Sequence, residues 1–296
     1  MKGIREIKAR IRAVGSTSKI TRAMQLVASS KMKKAQTIAI GGRPYILALS
    51  EIARDVSRLG PKLLDHPFFK KRESKNYGVL VIGTEKGLCG SFNQNISKKL
   101  VENFHVGSGR FFTIGKKATQ LVSRLGFNLI ADFSVSDRVE LCEMRPIIEL
   151  LRSEYMSGKI DSLQVVYSRS INPLMQEQVV SNVLPMSDLV SEIDALKKRM
   201  KISEDEIVQD VREIIFEPNV EDIVNKLSQI FFCQSIYRDV LESKAAEHSA
   251  RMLAMKNATD NADSLAKNLT IEYNKARQAG ITSEIIEIAA ASSNGD

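Results

Sequence analysis

The stretch from Asn219 to Ala279 contains neither glycine nor proline; it opens after Pro218 and closes at Gly280. Read as one helix at ~1.5 Å per residue, it would be about 90 Å long, two or three times the diameter of a small domain. A single globular core cannot cover such a helix. It has to lie against another long helix or inside another protein.

The run carries a seam. Leu241, Ala245, His248, Met252, Met255, Thr259, Ala262, Ala266, Leu269, Tyr273 and Ala276 are spaced alternately by four and three. That is the 3.5-residue repeat of a left-handed coiled coil. The seam is rich in Ala and Thr where a strong zipper has Leu or Ile. Small knobs let helices approach closely but bury little apolar area, at ~25 cal/mol per Å². The pattern fits an ordinary coiled coil or, read more sharply, a thin rod that must fit a confined space.

The N-terminus supplies a partner. Ile4, Ile7, Ile11, Val14, Ser18, Thr21, Gln25, Ala28, Met32 and Ala35 keep the same spacing. Gly41, Gly42 and Pro44 interrupt the pattern, which resumes through Leu49, Ile52, Val56 and Leu59. Two seamed rods at opposite ends of one chain most simply form an antiparallel intramolecular coiled coil. Residues 4–58 and 207–290 are expected to be helical, with Met24 and Met32 facing the C-terminal rod.

Charge is unevenly placed. The 296 residues carry a net +8. Residues 1–60 hold 13 Lys/Arg against Glu6, Glu51 and Asp55, a balance of +10, so the rest of the chain sums to −2. A basic rod of this kind suits an anionic surround: nucleic acid, acidic lipid or an acidic protein loop. No run approaches 18 consecutive apolar residues, so no transmembrane helix is expected. Charged residues from Lys2 onward leave no secretory signal core. Cys89, Cys142 and Cys233 form no CxxC pair and fit a reducing compartment.

Between the rods the pattern changes. Apolar runs at 77–83, 110–114, 127–131, 163–167 and 179–184 read as strands. Helical stretches follow Gly115 to Leu125 and run from Val139 to Met156, with Pro146 near the first turns. Strands alternating with helices imply a mostly parallel sheet faced by helices. The short Asn172-Pro173 connection allows the last two strands to pair as a hairpin. The fold class expected is α+β or α/β: a long antiparallel coiled coil of terminal helices with a central Rossmann-like α/β domain. The divisions are 1–60 for the N-terminal helix, 61–76 for a linker, 77–186 for the α/β domain, 187–206 for a surface excursion and 207–296 for the C-terminal helix.

Catalytic chemistry is scarce in this pattern. Gly83-Thr-Glu-Lys-Gly87-Leu88-Cys89-Gly90-Ser91 follows a strand, as a phosphate loop would. It lacks the Gly-Lys-Ser/Thr ending that reaches phosphate and Mg²⁺. It reads instead as a tight strand-to-helix turn presenting Leu88 and Cys89. His66, His105 and His248 sit in no metal-ligand spacing. Glu140, Glu143, Glu149 and Glu154 read as solvated helix faces. No cofactor is expected.

Three segments resemble one family. They are Ile4 to Ile11 with Thr17-Ser-Lys-Ile-Thr-Arg-Ala-Met24 and Val27 to Gln36; Gly87-Leu-Cys-Gly-Ser-Phe-Asn93; and Ala246 to Met252, Ala254 to Ala262 and Tyr273 to Ile285. In this order, over nearly the whole chain, they are similar to the signatures of the gamma subunit of F-type ATP synthases. The resemblance implies a central rotor shaft that is not itself an enzyme. Its terminal helices would turn inside the ring of alpha and beta subunits. Its α/β domain would meet the epsilon subunit and the membrane c-ring. Nucleic acid would be no partner, and the membrane would be touched only through the complex. Met24, the loop Gly87, Leu88, Cys89 and Gly90, and Arg277, Gln278 and Thr282 match family positions that approach beta. Ser91, Gln25-Leu26 and Ser29-Ser30 depart from the usual residues, and the inserted cysteine pair of the chloroplast form is missing. With no transit peptide ahead of the first helix, a bacterial protein on the cytoplasmic face of the inner membrane is expected.

Two other classes fit parts of the pattern. A basic coiled-coil protein binding nucleic acid fits the charge but lacks interleaved aromatics, and the chain has no Trp. A Rossmann-like enzyme with a helical dimerisation arm fits the topology but lacks the glycine fingerprint.

Overall fold

The computed structural model describes residues 2–42, 44–45, 47–49, 51–52, 66–70, 72, 76–172, 175–186, 194, 217 and 219–293. The expected surface excursion at 187–206 and helical residues 53–58 and 207–216 lie outside that set, apart from residue 194. The described elements are α1 (Lys2–Gly41), β1 (Tyr77–Ile82), α2 (Phe92–Asn103), β2 (Arg110–Ile114), α3 (Lys116–Arg124), β3 (Leu129–Phe133), α4 (Leu141–Met156), β4 (Ser162–Asn172), β5 (Met175–Leu184) and α5 (Val220–Ser293).

At 74 residues α5 is about 110 Å long at ~1.5 Å per residue. It runs straight through Gly280. A Cβ there would meet only Ile4 Cδ1, at 3.5 Å. The glycine therefore sits on the seam as a small knob inside the helix, in keeping with the helical span expected beyond it.

The chain divides into two compact units, residues 1–29 with 251–296, and residues 30–250. In the first, α1 and α5 are antiparallel. Thr21 pairs with Thr259 and Ser18 with Asp263, and Gly280 lies against Ile4, so numbers rise along one helix as they fall along the other. The heptad reading holds residue by residue. Ser18, Thr21 and Ala28 are buried on α1 and Met255, Thr259 and Ala262 on α5; seam positions farther out are half-buried, while most residues between them face solvent.

The second unit holds a five-stranded sheet in the order β3-β2-β1-β4-β5. The first four strands are parallel and β5 closes an antiparallel hairpin on β4, paired as far as Asn172 with Met175. Alternate residues of β1 serve opposite faces. Leu80 and Ile82 pack with α4 and with Val224 to Leu241 of α5, whereas Val79 and Val81 pack with α2 and α3. Both faces are covered, which is why β1 reads as a continuous apolar run rather than an alternating one. Phe68, in the stretch expected to be a linker, is 1% exposed and packs against Tyr155 and Phe232.

Several boundaries differ from the sequence reading. Strands β4 and β5 span 162–172 and 175–184 where 163–167 and 179–184 were expected, because the hairpin pairing continues to its turn. Strand β3 begins two residues late because Gly126 (φ 79°) and the Phe127 N–H close the end of α3. Helix α4 begins at Leu141 because Val139 is left-handed (φ 51°) and Glu140 caps the helix reciprocally with Glu143.

Candidate functional site

Within the first unit the seam turns polar at its middle. Thr21 Oγ1 and Thr259 Oγ1 are 2.7 Å apart and buried. The Ser18 hydroxyl donates to Asp263 Oδ1 at 2.6 Å, and Arg22 lies 3.7 Å from the other carboxylate oxygen. Polar knobs in a coiled-coil seam fix register at some cost in stability. Sequence reading placed these threonines in the seam but did not see that they face each other. The signal was partly available: the N-terminal rod carries consecutive polar seam positions, Ser18, Thr21 and Gln25, and the C-terminal rod carries Thr259 among apolar ones.

Beyond that layer the seam stays half-buried as far as Ile4 and Gly280, and other faces of α5 are exposed. Arg277, Gln278 and Thr282 are exposed, and the Thr282 hydroxyl donates to the Gln278 carbonyl at 2.9 Å. Ile281, Ile285 and Ile286 are 47%, 60% and 62% exposed. Branched apolar residues left in water along one helix mark a surface made to be covered. Met24 is half-buried on α1. The antiparallel pairing sets it near residue 256, some 30 Å along the rod from Arg277 at ~1.5 Å per residue. The structure does not bring these two predicted contacts together.

Helix α1 carries ten Lys/Arg, from Lys2 to Lys34, against Glu6 alone. Residues 251–293 hold five cations (Arg251, Lys256, Lys267, Lys275, Arg277) and five acids (Asp260, Asp263, Glu272, Glu284, Glu287) and balance. Arg5, Lys8, Arg12 and Lys19 are exposed and make no ion pair among the described residues. The positive field of the rod therefore comes from α1.

In the second unit, the loop after β1 holds Gly87, Leu88, Cys89 and Gly90. Leu88 is 60% exposed and left-handed (φ 62°), a conformation that costs a non-glycine residue about 1–2 kcal/mol. A large apolar side chain held strained in water is a functional signal. Cys89 is not presented beside it, contrary to the sequence reading. Its side chain is 3% exposed, packs with Phe92 and Ile96, and accepts from Asn93 Nδ2 at 3.3 Å. Gly87 and Gly90 are exposed, Gly90 at φ 60°. The left-handed turn at 88 drives the thiol inward as it lifts Leu88 out.

The same unit carries buried charge that sequence reading missed. Glu154, expected on a solvated face, is 4% exposed and bridges Arg110 at 2.8 Å and Lys159 at 2.9 Å. On α5, Lys244, Glu247 and His248 are nearly inaccessible, with Lys244 3.5 Å from Glu247. His248 Nε2 stands 3.7 Å from Asp137 Oδ1, and Lys31 of α1 donates to Asp137 Oδ2. Burial pushes the Asp137 carboxyl up, but the Lys31 hydrogen bond and the charges of His248, Lys31 and Lys244 outweigh it and hold its pKa below the usual value.

The chain matches the family model described as ATP synthase over residues 3–293. It is 39% identical to the ATP synthase gamma chain of Opitutus terrae over 98% of each chain, and 39% identical to that of Methylacidiphilum infernorum over 97% of each. Its fold is similar to a chain of the mitochondrial ATP synthase rotor of Euglena gracilis (TM-score 0.63, 17% identity, 95% of this chain and 99% of that one). It is similar also to a chain of the central stalk and c-ring structure from Tetrahymena thermophila (TM-score 0.57, 23% identity, 81% and 99%).

Proposed function

The chain belongs to the ATP synthase gamma family, and from that premise we propose that it is the central rotor shaft of an F-type ATP synthase. It couples ion-driven rotation of a membrane ring to conformational cycling of the catalytic beta subunits. The observation that carries this reading is the thin antiparallel rod of α1 and α5, whose isoleucines at 281, 285 and 286 stay exposed. A rod with an apolar, bare end needs a sleeve, and a ring of alpha and beta subunits supplies one. The shaft makes no bond in the reaction. It favours a different conformation of each beta subunit at each angle, and differential contact is the only way an effector shifts such an equilibrium.

The beta contacts are Met24, the loop Gly87 to Gly90 and the group Arg277, Gln278 and Thr282. Buried Cys89 shapes the loop and Leu88 makes its contact. The epsilon subunit and the c-ring meet the α/β domain, taken as residues 77–186 between helical arms 1–60 and 207–296. The protein is peripheral. Among the described residues no helix is long and apolar enough to cross a membrane. It works on the cytoplasmic face of a bacterial inner membrane. The nucleic-acid reading of the basic helix draws no support from the relatives.

Two measurements test this. A tagged chain expressed with the alpha and beta subunits should copurify with them as one ATPase complex; a chain that emerges alone refutes the proposal. Arg277→Ala with Gln278→Ala should leave assembly intact, since Ala favours helix, yet slow coupled ATP synthesis roughly tenfold or more by removing a charge-assisted contact. Normal synthesis would make the pair mere surface.

A further inference from the structure

The segment 134–140, between β3 and α4, is held like a strap. The Ser134 hydroxyl donates to Glu85 at 2.7 Å. The Ser136 N–H and hydroxyl both donate to Glu143 Oε2, at 3.2 and 2.9 Å. Val139 is left-handed, and its carbonyl accepts from Tyr237 OH of α5 at 3.1 Å. The strap is thus tied to the loop after β1, to α4 and to α5, and its backbone conformation is over-determined. What it holds out is Asp137. One carboxylate oxygen takes Lys31 of α1; the other faces His248 of α5.

We propose that Asp137 is a positioning residue that locks α1 to α5 within residues 30–250, so that the two helices turn as one body. Simple packing would hold them side by side but would not resist slip along or around their axes. A carboxylate shared between a lysine of one helix and a histidine of the other opposes both: the Lys31 hydrogen bond is directional, and His248 Nε2, 3.7 Å from the other oxygen, is held by electrostatic attraction. His248 is 1% exposed, so its side of the lock is shielded from salt; Lys31 is 44% exposed and its side is screened. The charged groups around the lock are Lys31 from α1, Asp137 and Arg138 from the strap, and Lys244 and Glu247 from α5. Cations outnumber carboxylates there, so removing the one on the strap leaves them mutually repelled.

The torque role rests on the rotor reading; the lock itself does not. The test is Asp137→Asn, which keeps shape and removes charge, with Lys31→Met as a second variant that leaves the strap and the α4 cap untouched. In the full-length chain, backbone hydrogen exchange over residues 30–38 should quicken about three- to tenfold in both variants, since a half-exposed charge-assisted bond is worth less than a buried one. Exchange in β1 and β2 should not change. In the complex with alpha and beta subunits and membrane ring, ATP-driven proton pumping per ATP hydrolysed should fall while hydrolysis itself continues. Asp137→Glu, which retains the charge, should restore part of the pumping. Unchanged exchange in both variants overturns the lock. Faster exchange with an unchanged pumping ratio overturns the positioning role and leaves a local staple. If the wild-type chain forms no such complex, the rotor reading fails, and the exchange result still decides the lock.

Discussion

The polar layer of the rod allows a quantitative test, because its protons can be counted. Thr21 Oγ1 lies 3.0 Å from the Ser18 carbonyl, Thr259 Oγ1 lies 2.8 Å from the Met255 carbonyl, and the two hydroxyls are 2.7 Å apart. That makes three contacts but only two protons, one per hydroxyl. One hydroxyl must donate across the seam and give up its own backbone carbonyl, while the other keeps its back-bond. Thr21→Val removes the cross-seam bond and leaves Thr259, 2% exposed, donating to Met255 with its acceptor side dry. The cost is one hydrogen bond, about 1 kcal/mol. Thr259→Val loses a similar amount. In the double Thr21→Val/Thr259→Val variant, two methyl groups of the same shape meet in the seam, and the net change should be within about 0.5 kcal/mol of wild type.

A double-mutant cycle reads this directly. The single losses sum to roughly 2 kcal/mol, so a near-neutral double variant implies a coupling of about 1.5 kcal/mol. The assay is hydrogen exchange over residues 14–28 and 255–266 in the full-length chain, which reports the local opening free energy without requiring the two units to unfold together. Additive losses would refute the reasoning, since independent hydroxyls would then each be served by backbone or water rather than by each other.

Other outcomes follow from the second unit. Glu154→Gln should destabilise by about 2 kcal/mol in urea unfolding, less than the 3–5 of a fully buried pair because Arg110 and Lys159 still reach water. A thiol reagent at neutral pH should modify exposed Cys142 first and native Cys89 last; burial pushes the Cys233 thiol up against the pull of Arg145, so its labelling should rise only as pH is raised. Because the Asp137 pKa is lowered on folding from 3.8, its stabilisation is present above that value and is lost as pH falls through the native one. Wild type and Asp137→Asn should therefore differ in urea midpoint at neutral pH and converge in acid.

The rods were legible in the sequence because their constraint is one-dimensional. A seam of period 3.5 needs only the order of residues, and the described seam positions of α1 and α5 are the less exposed ones, although Ile52 of the resumed pattern is 48% exposed. The strands were legible for a related reason: a doubly covered strand such as β1 is an unbroken apolar run. What escaped were features that depend on a partner distant in sequence. Glu154 looks like a solvated acid until β2 brings Arg110 beside it. Phe68 sits in a stretch that reads as linker, yet it buries against Tyr155 and Phe232, whose positions the local sequence cannot supply.

The same distinction separates the two kinds of site residue. Arg277, Gln278 and Thr282 were singled out by their match to family positions, and they stay exposed. Cys89 was misplaced because nothing local says that Leu88 adopts a left-handed backbone. In the right-handed or extended conformation ordinary for leucine, the side chains of this turn would point differently. In the proposed contact with beta, the loop offers one apolar side chain already fixed in direction, which loses little conformational freedom when it is covered. A leucine on a flexible loop would have to lose that freedom at every engagement. In the proposed shaft, which meets and leaves successive partners, a fixed Leu88 would present the same side chain at each encounter.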